Sequence, residues 1–184
     1  MIEKEIKTML TEGQYEKLKD LFSWDEKIEQ VNHYYANSDT DSGKKLTIRV
    51  RDKAGRHFLQ IKRPGSEESS LHISEEYEKE IGLVPDRLSS SELTELTGFS
   101  VPDSFRIGSL YTERWLCRAY PKLEICLDKV KYYDVTEYEL ELEYTGDYPE
   151  EAVELLKSKG IEFEKESVGK FHRFLSYRKL KNKM

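Results

Sequence analysis

The sequence predicts an α+β, mainly β, chain: an antiparallel barrel of roughly eight strands with short helices packed outside. Three observations carry this. Segment after segment alternates ionisable and apolar residues with period two, as strands do when their two faces meet different surroundings. The alternation recurs in six places, and it sets charge against charge on what can be a shared inner face. Between these segments lie three or four short stretches with helical spacing and capping signals.

The first segment, Ile2 to Lys7, sets the pattern. Glu3, Glu5 and Lys7 point one way, and Ile2, Lys4 and Ile6 the other. Alone, this hexapeptide reads as a solvated edge strand. Its recurrence makes it the first stave of a barrel with a charged lumen. Thr11 to Gln14 is a capping box, and Tyr15, Leu18, Leu21 and Phe22 follow at helical spacing. Glu29 to Asn37 is strand-like and aromatic, closed by a polar turn over Ser38 to Gly43.

Lys45 to Arg51 puts Leu46, Ile48 and Val50 on one face and Thr47, Arg49 and Arg51 on the other. After the turn at Asp52 to Gly55, Leu59 and Ile61 oppose Phe58, Gln60 and Lys62. Two consecutive antiparallel strands can thus share a basic wall of Arg49, Arg51 and Lys62. Pro64 to Ser70 reads as loop, and Leu71 to Ile81 as a further, acidic strand. Ser89 to Glu92 caps a helix carrying Leu93 and Leu96, which Gly98 stops.

Phe105 to Tyr120 is a long strand candidate with Thr112, Arg114 and Leu116 on one face. Leu123 to Val130 groups Glu124, Cys126 and Asp128. Glu137 to Tyr144 is the purest alternation, four glutamates against Tyr138, Leu140, Leu142 and Tyr144. Pro149 opens and Gly160 ends an amphipathic helix. Ile161 to Phe163 is strand-like. Gly169 to Phe174 is basic and, if helical, sets Lys170 and Arg173 on one face. Lys179 to Met184 reads as a frayed tail.

Composition bounds the class. At 184 residues the chain suits a single domain over 1–184. Its charged fraction of 36% would fit disorder, but 12 Tyr, 7 Phe and only 5 Pro argue for a fold that carries charge inside as well as outside. A net charge of −6 speaks against a nonspecific nucleic-acid binder. Cys117 and Cys126 read as reduced core thiols. No apolar leader or membrane-length run is present, so a soluble, cytoplasmic protein without membrane partners, monomeric or homodimeric, is expected.

If the alternating faces converge, Lys7, Arg49, Arg51, Lys62, Arg114, Lys170 and Arg173 face Glu3, Glu5, Asp128, Glu139 and Glu141. Guanidinium forks match phosphate oxygens, and ammonium groups add point charge. Clustered carboxylates would repel such an anion unless a hard divalent ion lies between, and Glu and Asp oxygens suit Mg²⁺ or Mn²⁺. His33, His57, His72 and His172 are scattered and offer no zinc spacing. The combination points to metal-assisted phosphoryl chemistry on a polyphosphate.

The ordered set of Glu3-Lys4-Glu5-Ile6-Lys7, Arg49-Val50-Arg51, Leu59 to Lys62, Arg114, Leu127-Asp128 and Glu139-Leu140-Glu141 resembles the CYTH superfamily, the triphosphate tunnel metalloenzymes, over nearly the whole chain. That resemblance implies an eight-stranded closed antiparallel tunnel holding a triphosphate and one or two divalent ions. By it, Glu3, Glu5, Glu139 and Glu141 would be metal ligands, with Asp128 a ligand or its partner. Glu3, Glu5, Lys7 and Asp128 would serve catalysis. Lys7, Arg49, Arg51, Lys62, Arg114, Lys170 and Arg173 would hold phosphates. A register in which Glu141 and Glu143 form the metal pair stays open. So does the arginine that many members carry before the glutamates of the middle strand, which His72 to Glu78 lacks. The expected activity is triphosphate hydrolysis, with a class IV-type adenylate cyclase as runner-up and a noncatalytic polyphosphate-binding module as a third reading.

Overall fold

The computed structural model describes residues 2–41, 46–64, 72–163 and 168–183. The loop expected over Pro64 to Ser70 and part of the turn before Thr47 therefore lie largely outside the described residues. The strands are β1 (Ile2–Leu10), β2 (Glu26–Ala36), β3 (Thr47–Lys53), β4 (Arg56–Pro64), β5 (His72–Ile81), β6 (Arg87–Leu88), β7 (Ser104–Tyr120), β8 (Leu123–Tyr132) and β9 (Val135–Tyr144). The helices are α1 (Glu12–Leu21), α2 (Ser38–Asp41), α3 (Ser90–Thr97), α4 (Glu150–Ser158) and α5 (Lys170–Lys181).

All pairings are antiparallel, in the order β2-β3-β4-β5-β1-β9-β8-β7-β6, and β2 also pairs with β7. Eight strands therefore run round and meet, while the two-residue β6 continues the edge of β7. The ring is uneven. Among the described residues eleven pairs join β2 to β7, but only four, Ile2 to Glu5 against Glu75 to His72, join β1 to β5. A fully closed, regular barrel overstates that thin seam.

The apolar faces of the strands point outward, under the helices. Thr11 and Ser89 close capping boxes on α1 and α3, and Gly98 takes the left-handed conformation (φ 77°) that ends α3. The first cluster gathers Ile6, Ile125, Leu127, Leu140 and Leu142 with Tyr15 and Leu18 of α1 and Val153 and Leu156 of α4. A second packs Ile48, Val50, Leu59 and Ile61 with Leu93 of α3. Each such fully buried aliphatic side chain contributes about 1.5–3 kcal/mol. Since the alternating partners of these residues cannot also face outward, the opposite face of the wall is left to the charged residues.

α5 lies across one mouth of the barrel. Its Phe171 and Phe174 pack on Tyr34, Leu110, Val130 and Tyr132, and Phe174 stacks on Tyr133 at 5.7 Å. Gly108 sits where β2 and β7 shift register, and a Cβ there would meet the Phe174 ring at 2.7 Å. Ile161 to Phe163, read as strand-like, forms no strand; Ile161 follows Gly160 and buries against the α4 cluster. The expected basic tail is helical to Lys181, held by Lys181 and Tyr177 on Asp134. Among the described residues no helix is long and apolar enough to cross a membrane.

Candidate active site

Residues directly opposite on neighbouring strands project from the same face. Register therefore carries one inner face around the ring. Lys7 lies opposite Glu141, Glu5 opposite Glu143, and Glu139 opposite Asp128, which in turn faces Arg114. On the other side Asn32 lies opposite Arg51, and Arg49 opposite Gln60, which faces Glu78.

The β7-β8-β9 wall is acidic and tightly knit. Asp128 and Glu139 are fully buried (0% exposed). Arg114 grips Asp128 with two bonds of 2.8 Å, reaches Glu143 at 2.9 Å and also bonds Glu141. Lys170, brought in by α5, lies 2.9 Å from Asp128, 2.7 Å from Glu139 and 2.6 Å from Glu141. Arg173 donates to Glu137 at 2.9 Å and to Glu139 at 3.0 Å. Lys7 donates to Glu5 at 2.6 Å.

These pairs set the protonation states. Burial alone would raise Glu141, but Lys170, Arg114 and Lys7 hold it well below the usual carboxylate range. Glu5 is likewise lowered, burial being outweighed by Lys7 and Lys62. Lys170 and Arg114 are both raised despite burial, by Glu139, Glu141 and Asp128 for the lysine and by Asp128 first for the arginine. Each of these groups is held in its charged form at neutral pH.

The β2-β3-β4 wall is basic and short of counter-charge. Arg49 donates to the Gln60 amide oxygen at 2.7 Å, and Arg51 to the Asn32 amide oxygen at 3.0 Å. Among the described residues no carboxylate pairs with either. Burial, with Arg49 and Arg114 as like-charged neighbours, pushes Arg51 down to about 9. Lys62 is paired with Glu76.

Ligand atoms of Glu5, Glu141 and Glu143 lie within 4.8 Å of one another. Three hard oxygen donors suit Mg²⁺ or Mn²⁺, so these residues fit a divalent ion. Glu139 and Asp128, expected from the sequence as ligands, have their carboxylates engaged by Lys170, Arg114 and Arg173, as Glu141 is by Lys170 and Arg114, Glu143 by Arg114 and Glu5 by Lys7. The register that was left open, with Glu143 beside Glu141, is the one that gathers three carboxylates. Glu3 pairs with Ser74 through its backbone, and its side chain lies outside the described residues.

Glu5, Lys7, Arg49, Arg51, Lys62, Arg114, Asp128, Glu139, Glu141, Lys170 and Arg173 thus share the inner face and the mouth that α5 covers. The sequence reading did not single out Asn32, Gln60, Glu78 or Glu137. Gln60 was visible as an inner-face residue between Phe58 and Lys62, whereas Asn32 in its aromatic strand gave no signal. Cys117 and Cys126 are buried free thiols on adjacent strands; Cys117 packs with the α1–α4 cluster and Cys126 with Ile28 and Leu116.

The family model of the CYTH domain matches residues 1–175. The chain belongs to the CYTH domain family. A curated relative from Bacillus subtilis (strain 168), named "Putative triphosphatase YjbK", is 30% identical over 164 residues, covering 77% of each chain. Among solved structures, a "Putative adenylyl cyclase" from Hippeastrum, described as revealing a dominant triphosphatase activity, superposes with a TM-score of 0.73 at 24% identity over 95% of both chains. A "putative adenylate cyclase" from Bacillus halodurans gives 0.65 at 21% identity, covering 92% of this chain and 95% of its own. At these identities the two structures speak to the fold.

Proposed function

We propose that this CYTH protein hydrolyses a triphosphate, inorganic or small and organic, in a reaction dependent on Mg²⁺ or Mn²⁺. The carrying observation is the basic wall: Arg49 and Arg51 face the interior with only amide partners, and Arg51 is destabilised in its charged form by its neighbours. A pair of inward-facing, partly buried cations whose hydrogen bonds among the described residues go only to amide oxygens suits an anion. The curated relative with a triphosphatase name supports the choice of that anion.

In this reading Arg49 and Arg51 hold phosphate oxygens through their guanidinium forks, with Lys62 beside them on β4. Lys7 donates to Glu5 and, with Lys62, keeps that carboxylate charged. A divalent ion on Glu5, Glu141 and Glu143, with Glu3 within the same strand, would neutralise phosphate charge and polarise the bond that breaks. Water then attacks phosphorus in line, the bridging P–O bond breaks, and the arginines stabilise the charge that develops on the leaving phosphate. The proton the water loses passes to a phosphate oxygen and on to solvent, because Glu5 and Glu141 are held ionised by their cationic neighbours and are weak acceptors.

The test is a screen of inorganic triphosphate, ATP and GTP with each metal, reading phosphate, pyrophosphate and cyclic nucleotide together. Metal-dependent phosphate release is expected. Cyclic AMP with pyrophosphate from ATP would replace hydrolysis by cyclisation, and binding without any product would leave a noncatalytic module.

A further inference from the structure

We infer that Asn32 and Gln60 are positioning residues for anion binding. Each holds one arginine of the basic wall by its Nε–H alone, and each does so with a neutral acceptor. The two-nitrogen end of the guanidinium and its full charge thereby stay available to a phosphate. The inference rests on the reading of that wall as an anion site and concerns what readies it.

Strand register builds both holders in the same way. Asn32 of β2 lies directly opposite Arg51 and Gln60 of β4 directly opposite Arg49, so the two arginines of β3 are approached from its two sides. The Arg51 Nε–H donates to Asn32 Oδ1 at 3.0 Å, and the Arg49 Nε–H to Gln60 Oε1 at 2.7 Å. Both amides are buried. Among the described residues the Nη atoms of Arg49 and Arg51 make no hydrogen bond or ion pair.

The acidic wall uses its arginines differently. Arg114 commits Nε and Nη2 to Asp128 and Nη1 to Glu143, while Arg173 commits Nε to Glu137 and both Nη atoms to Glu139. A carboxylate can engage two nitrogens of the fork at once and offsets its charge. An amide oxygen leaves both the second nitrogen and the charge free. Arg49 and Arg51 also repel each other, since each is the other's like-charged neighbour. Tethering them before the anion arrives reduces the freedom that binding must remove.

Gln60 is itself oriented. Its Nε2 donates at 2.5 Å to Glu78 Oε2, from the residue directly opposite on β5. Arginine only donates, a carboxylate accepts, and an amide does one at each end, so the relay from Arg49 through Gln60 to Glu78 runs in a single direction. The amide also separates the two charges. On the same pair of strands Lys62 lies opposite Glu76 and pairs with it directly, and Arg56 pairs with Glu80. Between them Glu78 meets a neutral side chain, and Arg49 is kept from it.

The experiment measures binding of inorganic triphosphate in EDTA by calorimetry, with thermal melts of the ligand-free proteins. Asn32→Asp keeps the shape and the acceptor but adds a charge. It should raise Tm, because Arg51 gains a counter-charge, and weaken triphosphate roughly 10–100-fold. A packing role for Asn32 would not set those two effects against each other. Gln60→Met and Asn32→Leu remove the acceptor and should each weaken binding about tenfold. Arginine side-chain nitrogen resonances give an independent readout. The Arg51 Nε–H signal, identified by its absence from Arg51→Lys, should exchange slowly with solvent in wild type and Asn32→Asp and rapidly in Asn32→Leu. Wild-type affinity in Asn32→Asp or in Gln60→Met would overturn the inference while leaving the anion site standing. Unchanged Nε–H exchange in Asn32→Leu would overturn it equally. Should the Asn32 variants fail to fold, the affinity of Gln60→Met decides. No triphosphate binding by the wild type would overturn the anion site itself, and this inference with it.

Discussion

Arg51→Met should stabilise the ligand-free protein while removing its grip on triphosphate. Burial and its cationic neighbours bring Arg51 down to about 9 from 12.5. At about 1.36 kcal/mol per pKa this is a penalty of roughly 3–5 kcal/mol for holding the charge in the ligand-free channel. The sign follows from a basic group whose folded pKa is depressed. At pH 7 the arginine is charged whether folded or not, so the folded state carries the penalty in full; it fades only as pH rises through about 9 toward the unfolded value.

Methionine removes the penalty but leaves the Asn32 amide oxygen without its donor, at about 1–3 kcal/mol. The midpoints of these ranges leave a net gain of about 2 kcal/mol, a rise in Tm of roughly 4–8 °C for a chain of this size. With triphosphate the order reverses, because two charge-assisted bonds of about 1.5–3 kcal/mol each are lost. Binding should weaken on the order of 10²–10⁴-fold. Urea and thermal melts of both proteins with and without inorganic triphosphate, in EDTA to stop turnover, measure both effects. If Arg51→Met loses more than about 2 kcal/mol without ligand and keeps the wild-type shift with it, the basic wall is not an anion site.

Glu141→Gln should abolish Mn²⁺ binding and cost about 3–5 kcal/mol of stability, since Lys170 and Arg114 both lose a charged partner; Glu143→Gln, bonded only to Arg114, should weaken Mn²⁺ binding at smaller cost, by calorimetry and urea melts. Because Glu5 and Glu141 are lowered, the stability they supply is present above the unfolded value of 4.5 and is lost as pH falls below it, most slowly for Glu141. Urea midpoints between pH 6 and pH 3 should show that loss, and Glu141→Gln should flatten it. Gly108→Ala forces a Cβ at φ 151° against the Phe174 ring, and should loosen α5 at a cost of about 1–3 kcal/mol. Faster proteolysis within α5 and a weaker near-ultraviolet dichroism would register it.

The wall of the barrel was legible because strand periodicity separates two faces regardless of which is inside. Glu137 to Tyr144, Thr47 to Arg51 and Phe58 to Lys62 each show their inner and outer residues without further information. What periodicity cannot show is the partner of a residue far along the chain. Lys170 and Asp128 are 42 positions apart and meet only because aromatic side chains dock α5 in the mouth. For the same reason Glu139 could be placed on the right face while its ion pairs with Lys170 and Arg173 could not be foreseen. Ile161 to Phe163 has a strand's composition, but with Gly160 turning the chain beneath α4 no neighbouring strand is offered to it.

The oily material that holds this molecule together lies under its helices, in pockets of packing distributed around the outside of the wall. What occupies much of the middle is salt and hydrogen bonds, with the aromatic side chains of α5 packed on Tyr34 and Leu110 at one mouth. On the proposed function, a guest would enter, be cut and depart while this outer layer keeps its contacts. Selection could rewrite the inner charges to suit a different anion without repacking what lies beyond the staves.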